Sequence, residues 1–428
     1  MKVNKFKIFN PFRLFAFSPF RPKPNKNKKI SQTIILIVAG EASGDSHGAR
    51  LVAAIKKRLP EAGFSGVGGE ALAGQGVEIL CQASELAVVG LSEVFGRLPA
   101  VWRALRAIAK ALKTNRPGLV ILVDFPDFNF WVARLARWYG VPVMYYISPQ
   151  VWAWRSYRVR TLARLVDRLV VIFPFEADFY RQKGLPVDFV GHPFLETLSP
   201  LPPRDRILGE WGLGPERFTL ALLPGSRASE IERHLPNMLE AAKLIRKAIP
   251  EIQFILPLAS TAPEGLVKSL VEGFLGEGEN SRGRLSSISP GLPLKIITGQ
   301  SYAALAAAHL AVVASGTATL EAALAGTPTI IVYRLAPLSY ELGRRLIKVE
   351  HIGMANLLAG ERLFPEILQA EFTPERLAQE VIGLVQNPKR LGALKMGLGR
   401  IINNLGGPGA SARAAQVALE LMEGEKDD

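Results

Sequence analysis

Residues 218–257 read FTLALLPGSRASEIERHLPNMLEAAKLIRKAIPEIQFILP. Phe218–Leu223 is an unbroken apolar run, closed by Pro224, Gly225 and Ser226. From Ser229 to Ala248 apolar residues recur at helical spacing, and Ile252–Pro257 is a second apolar run. Strand, turn, helix and strand follow one another, and neither strand alternates with polar residues. That pattern predicts parallel strands buried on both faces.

The alternation extends in both directions. Further apolar runs stand at Thr33–Ala39, Leu119–Val123, Val141–Ile147, Leu169–Phe173, Leu294–Ile297, Leu310–Ala314 and Thr329–Tyr333. Helical periods lie between them, among them Ser46–Arg58, Pro126–Tyr139, Ser301–His309, Thr317–Ala325 and Pro374–Val385. The pattern pauses at the proline-rich PLPPR, residues 200–204, and then restarts. Two Rossmann-like α/β domains are expected, over residues 31–199 and 205–386, with C-terminal helices at 387–428. The 428-residue length agrees with this division. Residues 276–292, rich in glycine and serine, read as a surface insertion.

The composition is 48% hydrophobic and 21% charged, which is that of a chain able to bury large cores. One cysteine, Cys81, argues against a disulfide framework or thiolate zinc cluster. The five histidines, His47, His192, His234, His309 and His351, show no metal-ligand spacing. Neither a metal nor a cofactor is expected. The net charge of +14 is unevenly placed: residues 1–30 hold nine Lys or Arg and no acid, and residues 201–428 are neutral. The basic half predicts a polyanionic partner, nucleic acid or an anionic membrane. No helix-turn-helix, finger or RNA-binding signature is present, so nucleic acid is not expected.

Within residues 1–30, Lys2, Lys5, Lys7, Arg13 and Arg21 alternate with Phe6, Phe9, Phe12, Phe15, Phe17 and Phe20. Pro11, Arg13 and Pro19 interrupt any signal-peptide core, and no apolar run is long enough to span a bilayer. The stretch reads as an arm for an anionic membrane surface or as a plain extension. A second membrane-facing candidate is formed by Val88, Val89, Leu91 and Phe95 with the basic amphipathic period carrying Trp102, Arg103 and Arg106. An ordinary helix covering the sheet is the competing reading.

In open parallel sheets, ligands bind where strands end and helices begin. The first run ends in Gly40-Glu41-Ala42-Ser43-Gly44-Asp45, in which Ser43 and Asp45 are candidate helix caps. It matches neither the dinucleotide fingerprint nor the P-loop. Leu119–Val123 ends in Asp124-Phe-Pro-Asp127-Phe-Asn129. Two carboxylates there suit a general base or a helix cap, and one can serve in each role. Ser226 and Arg227 after one strand, and Gly316 and Thr317 after another, form anion-ready helix starts. Glu321, one turn further, can accept hydrogen bonds from a ribose diol. Together they suggest a nucleotide diphosphate in the second domain.

The motifs GEASGD (40–45), DFPDFN (124–129), YYISPQVWAWR (145–155), FVGHP (189–193), LLPGSRASEIERHLP (222–236), ASGTATLEAALAGTP (314–328) and ANLLAGERLFPE (355–366) resemble those of the lipid-A-disaccharide synthase family. The resemblance implies a GT-B fold, with two parallel sheets facing an interdomain cleft. It implies inverting transfer from UDP-2,3-diacylglucosamine to the 6-hydroxyl of 2,3-diacylglucosamine 1-phosphate, giving a β-1,6 disaccharide and UDP. By the same resemblance Asp124 is the base candidate with Asp127 beside it, and Asn356 helps close the UDP-sugar site formed by Ser226, Arg227, Gly316, Thr317 and Glu321. The resemblance also implies chemistry without a metal, and the chain has no Asp-x-Asp pair. A cytoplasmic enzyme on the inner face of the cytoplasmic membrane is expected; its oligomeric state is left open, a homodimer included. The rival reading is another GT-B enzyme on a UDP-sugar, a lipid-linked glycosyltransferase or a 2-epimerase.

Overall fold

The computed structural model describes residues 34–86, 98–154, 156–198, 200–259, 262–275, 292–335 and 351–424. They form two units. The first takes the chain up to Pro193 and again from Gly409, and the second takes Phe194–Pro408.

The first unit holds a seven-stranded parallel sheet, β1 (Ile34–Ala39), β2 (Gly63–Gly68), β3 (Glu78–Gln82), β4 (Leu119–Val123), β5 (Val143–Tyr146), β6 (Arg168–Val171) and β7 (Val187–Phe189). Their spatial order is β3-β2-β1-β4-β5-β6-β7. Both central strands are apolar throughout because both of their faces are covered. Leu36, Val38, Val120 and Leu122 pack with the helix Pro126–Tyr139, while Ile35, Ile37, Ile121 and Val123 pack on the opposite face with the helix Ala42–Arg58. Each such burial contributes ~1.5–3 kcal/mol, so these two strands anchor the sheet.

The chain lays β2 and β3 on one side of β1 and β4 onward on the other, with Ala39 opposite Val123 in register. The connections leaving β1 and β4 therefore part to opposite faces, and a crevice opens at the carboxyl end of that strand pair. The Gly40 turn and Asp124 stand at this point.

The second unit repeats the plan with β8 (Thr219–Leu223), β9 (Gln253–Leu258), β10 (Leu294–Thr298), β11 (Leu310–Ala314), β12 (Thr329–Tyr333) and β13 (Glu366–Leu368). Their order is β10-β9-β8-β11-β12-β13, all parallel, and the switch falls between β8 and β11, where Leu223 pairs with Val313. The Gly225 and Gly316 turns leave those two strands.

The expected C-terminal helices at 387–428 separate. Pro388–Asn404 stays with the second unit, whereas Ala410–Glu423 returns to the first. The small side chains of Ala410, Ala414, Ala415 and Ala418 let that last helix approach the Ala42–Arg58 helix closely, in a core shared with Ala49 and Val52.

The period carrying Trp102 is the helix Leu98–Thr114. Its Leu105, Ile108 and Leu112 are buried in the first unit's core, so the apolar stripe covers the sheet. Trp102 is half-buried with the Arg106 guanidinium 3.9 Å from its ring centroid, and exposed Arg103 meets Glu85 at 3.4 Å. Val88, Val89, Leu91 and Phe95, the 1–30 arm and nearly all of the 276–292 insertion lie outside the described residues. No helix among those described is long and apolar enough to cross a membrane.

Candidate active site

In the first unit the chain turns sharply after β4. Asp124 and Phe125 both take left-handed backbone angles, with φ of 44° and 48°. For residues bearing a Cβ such a conformation costs roughly 1–3 kcal/mol each, and it persists only where the surroundings impose it. Here the Asp124 carbonyl accepts from Asn129 Nδ2 at 2.6 Å and from the Tyr145 hydroxyl at 2.7 Å, and Asn129 Nδ2 also reaches the Val123 carbonyl at 3.3 Å. Across the crevice the Phe125 ring lies over Gly40, where an added Cβ would come 2.1 Å from Phe125 Cγ. Gly40 is thus fixed by close approach.

The strained turn holds the Asp124 carboxyl half-buried beside Glu41. Burial, and secondarily the Glu41 charge, raise it from its ordinary 3.8 to about 6, against a lowering hydrogen bond from the Phe125 backbone. A carboxylate with that value retains basicity near neutral pH. Asp127 differs. It is exposed and paired with Arg158 at 2.6 Å. Nor is Asp124 the helix cap: Phe125 occupies that position, with Pro126 in the first turn.

The GEASGD segment divides in two. Glu41 and Ser43 are exposed at the crevice, whereas Gly40, Gly44 and Asp45 are buried. Ala42–Asp45 already belongs to the helix, so neither Ser43 nor Asp45 caps it, contrary to expectation. Asp45 instead accepts from the backbone N–H groups of Gly69 at 2.7 Å, Ala71 at 2.9 Å and Leu72 at 3.3 Å, and so caps the following helix Glu70–Gly74.

Trp152 has a packing role. Its Nε1 donates to Glu176 Oε1 at 3.0 Å, its ring meets Phe175 edge-on, and Ser148 donates to the same carboxylate oxygen at 3.0 Å. Burial holds the Glu176 carboxyl up at about 7. The Trp154 side chain and residue 155 lie outside the described set.

In the second unit, Gly225 takes a φ of 116°, and a Cβ there would come 2.5 Å from Glu230 Oε2. Ser226 and Arg227 are exposed at the start of the helix Ala228–Ala248. The two turn amides are not empty donors: Glu230 Oε2 accepts from Ser226 N at 3.1 Å and Arg227 N at 3.4 Å, and Glu230 Oε1 meets Arg227 Nη1 at 3.4 Å. A carboxylate therefore sits where the turn would receive an anion, held by long and weak contacts.

His234, on the same helix, carries no spacing signal in the sequence. Its buried imidazole bridges two strand ends, with Nδ1 2.8 Å from the Pro224 carbonyl and Nε2 3.0 Å from the Arg334 amide. Because Nε2 must accept, Nδ1 carries the proton. Burial lowers its pKa and favours this neutral form. The residue braces the turn that presents Arg227.

Gly316, with a φ of 153°, and Thr317 are exposed before the helix Ala318–Leu324. Ser315 Oγ donates to the Ile352 carbonyl at 2.9 Å and ties the turn to the next segment. Glu321 is half-buried, and burial raises its carboxyl above the ordinary value. Asn356 lies on the helix Met354–Ala359. It is fully buried and internally engaged, with Nδ2 on the Phe364 carbonyl and Glu366 Oε1, both at 2.9 Å, and Oδ1 receiving Phe364 N at 2.8 Å. Through Glu366, which accepts from Ile352 N at 3.3 Å and Gly353 N at 3.0 Å, it supports the loop at 352–353. Among the described residues no three His, Cys, Asp or Glu side chains converge as a metal site.

Losing the brace on Asp124 should be measurable. In Asn129→Ala, kcat should fall at least tenfold with KM little changed, and stability should drop by ~1–3 kcal/mol as two carbonyls lose a donor. Steady-state kinetics with thermal melts check both; unchanged kcat in a folded variant would remove Asn129 from the turn's support.

Two parallel-sheet α/β units, each with a switch point in its strand order, define the GT-B fold class. Solved structures agree on the fold. UDP-GlcNAc 2-epimerase from Neisseria meningitidis matches with a TM-score of 0.61 at 13% identity, over 90% of this chain and 100% of that one. The calicheamicin glycosyltransferase CalG4 matches with a TM-score of 0.55 at 16% identity, over 91% and 98%. The family described as lipid-A-disaccharide synthetase matches residues 35–421. Lipid-A-disaccharide synthases of Syntrophus aciditrophicus and Nitrosococcus oceani are 45% and 43% identical, each over 92% of this chain and over 99% and 98% of their own lengths. The chain belongs to the lipid-A-disaccharide synthetase family and is a glycosyltransferase.

Proposed function

We propose that the enzyme transfers the diacylglucosamine of UDP-2,3-diacylglucosamine to the 6-hydroxyl of 2,3-diacylglucosamine 1-phosphate, with inversion. The observation that carries this reading is the Asp124 carboxyl, raised to about 6 and aimed from a strained turn at the β1/β4 switch point. A neutral hydroxyl needs a proton acceptor as it attacks, and a basic, half-buried carboxylate provides one. The acceptor O6 bonds to the anomeric carbon, the carbon–phosphate oxygen bond breaks, and the O6 proton passes to Asp124. Charge developing on UDP is met by Arg227 and Ser226 and by the turn at Gly316 and Thr317, while Glu321 binds the ribose.

Configuration at the new bond tests the proposal. Proton NMR of the product should show a β anomer joined to O6. An α linkage, or a free 2-epimer formed without acceptor, would defeat it.

Both proposed substrates are acylated, so the same reading brings the enzyme to the inner face of the cytoplasmic membrane. Trp102, Arg103 and Arg106 at the outer side of their helix, with the basic arm, suit an anionic surface. Flotation with anionic liposomes at low and high salt checks this. Association that falls with salt is expected, and none at low salt would contradict it.

A further inference from the structure

A second basic cluster in the first unit has no part in the mechanism above. Arg50 lies on the Ala42–Arg58 helix, and its Nη2 is 2.7 Å from Nδ1 of His47 one turn earlier. A guanidinium cannot accept, so His47 Nδ1 does, and the imidazole proton stands on Nε2. His192, in the loop after β7, is buried, its ring tilted against Phe173 with centroids 5.2 Å apart. That loop leaves the same carboxyl edge of the sheet as Asp124.

Among the described residues no carboxylate pairs with Arg50. Arg50 has no ion pair among the described residues, and its buried Nε faces no acceptor. The nearest acid on its helix, Asp45, is committed to the amides of Gly69, Ala71 and Leu72. The packed helix Ala410–Glu423 carries a further cation, Arg413, whose Nε donates to the Val190 carbonyl at 2.8 Å. An arginine half withdrawn from water without a counter-charge is costly unless an anion completes it.

We propose that Arg50, His47 and His192 form a phosphate-monoester subsite of the first unit, which on the reading above receives the 1-phosphate of the acceptor. Arg50 and the His47 Nε2–H supply the donors, an arrangement suited to a tetrahedral dianion. Burial and Arg50 hold the two imidazoles down at about 3 for His47 and about 4 for His192, so both are neutral in the free enzyme. A bound phosphate opposes the Arg50 charge and should raise both values.

Two measurements on the full-length protein test the site. Inorganic phosphate, titrated while the imidazole resonances are followed by NMR, should shift His47 and His192 saturably and raise their pKa values; Arg50→Gln should abolish the response. In kinetics, Arg50→Gln should raise KM for the phosphorylated acceptor roughly 10–100-fold while sparing kcat/KM for the dephosphorylated one, and Arg50→Lys should restore part of the loss. Equal losses on both acceptors in a folded variant, or imidazoles unmoved by phosphate, would overturn the proposal. A response to phosphatidylglycerol vesicles alone would overturn the acceptor assignment in favour of a lipid headgroup. If the wild type forms no UDP with either acceptor yet phosphate still moves both imidazoles, the transfer reading fails and the phosphate site stands.

Discussion

Asp124→Asn should lower kcat by ~10²–10⁴-fold while binding of both substrates persists, because the amide keeps the shape and loses the basicity. The wild-type rate should climb as pH rises through about 6 and level off above it, since only the ionised carboxyl accepts the proton. Glu41→Gln should move that limb to lower pH by removing the charge that helps to raise Asp124. Stability should change in the opposite sense to activity. Folding raises this carboxyl from 3.8 to about 6, so its contribution is complete below 3.8 and is lost as pH rises through 6. At pH 8 the ionised side chain costs on the order of 2–3 kcal/mol, which asparagine relieves. The variant should therefore melt higher than wild type at pH 8 and not at pH 3. Wild-type kcat, or a pH profile without an acid limb near 6, would remove Asp124 from the role of base.

Arg227→Ala should be nearly as severe, with kcat falling by ~10²–10³-fold, since in the proposed role Arg227 meets the departing diphosphate and acts mainly as charge develops. Glu230 adds a distinguishing feature. Its carboxylate holds the Ser226 and Arg227 amides and meets the Arg227 guanidinium, so a diphosphate bound as proposed must displace it. Removing Arg227 alone leaves that negative charge facing another. The pair Arg227→Ala with Glu230→Gln should recover part of the loss, a coupling that a double-mutant cycle reads directly. Strict additivity would mean that Glu230 does not compete for the diphosphate position.

Much of this architecture is legible as pattern. Central strands such as Leu119–Val123 are apolar at every position because helices cover both faces, and the helix Pro126–Tyr139 announces both of its ends, with proline in the first turn and Gly140 at its cap. The strand Gly63–Gly68 is hidden for the opposite reason. Three of its six residues are glycine, a composition that reads as a loop, yet a Cβ on Gly66 would come 1.7 Å from the Ile37 carbonyl oxygen of the neighbouring strand. Close packing, and not propensity, makes it a strand.

The site divides along the same line. Residues proposed to act by standing at a strand end, such as Asp124 and Arg227, are visible in sequence because strand ends are. What their side chains touch is not. Asp45 caps a helix 24 residues away, and Asn356 spends its amide on Phe364 and Glu366. Asn129, Tyr145 and His234 brace the two turns through backbone carbonyls brought near only by the fold. A buried histidine on a helix face carries no periodic signal that marks it as a bridge.

The most direct test of the whole account is UDP formation by the purified full-length chain given UDP-2,3-diacylglucosamine, with and without 2,3-diacylglucosamine 1-phosphate. UDP release should depend strictly on the acylated acceptor and be matched by an equal amount of disaccharide. Release at the same rate without acceptor, or none with both substrates present, would contradict it.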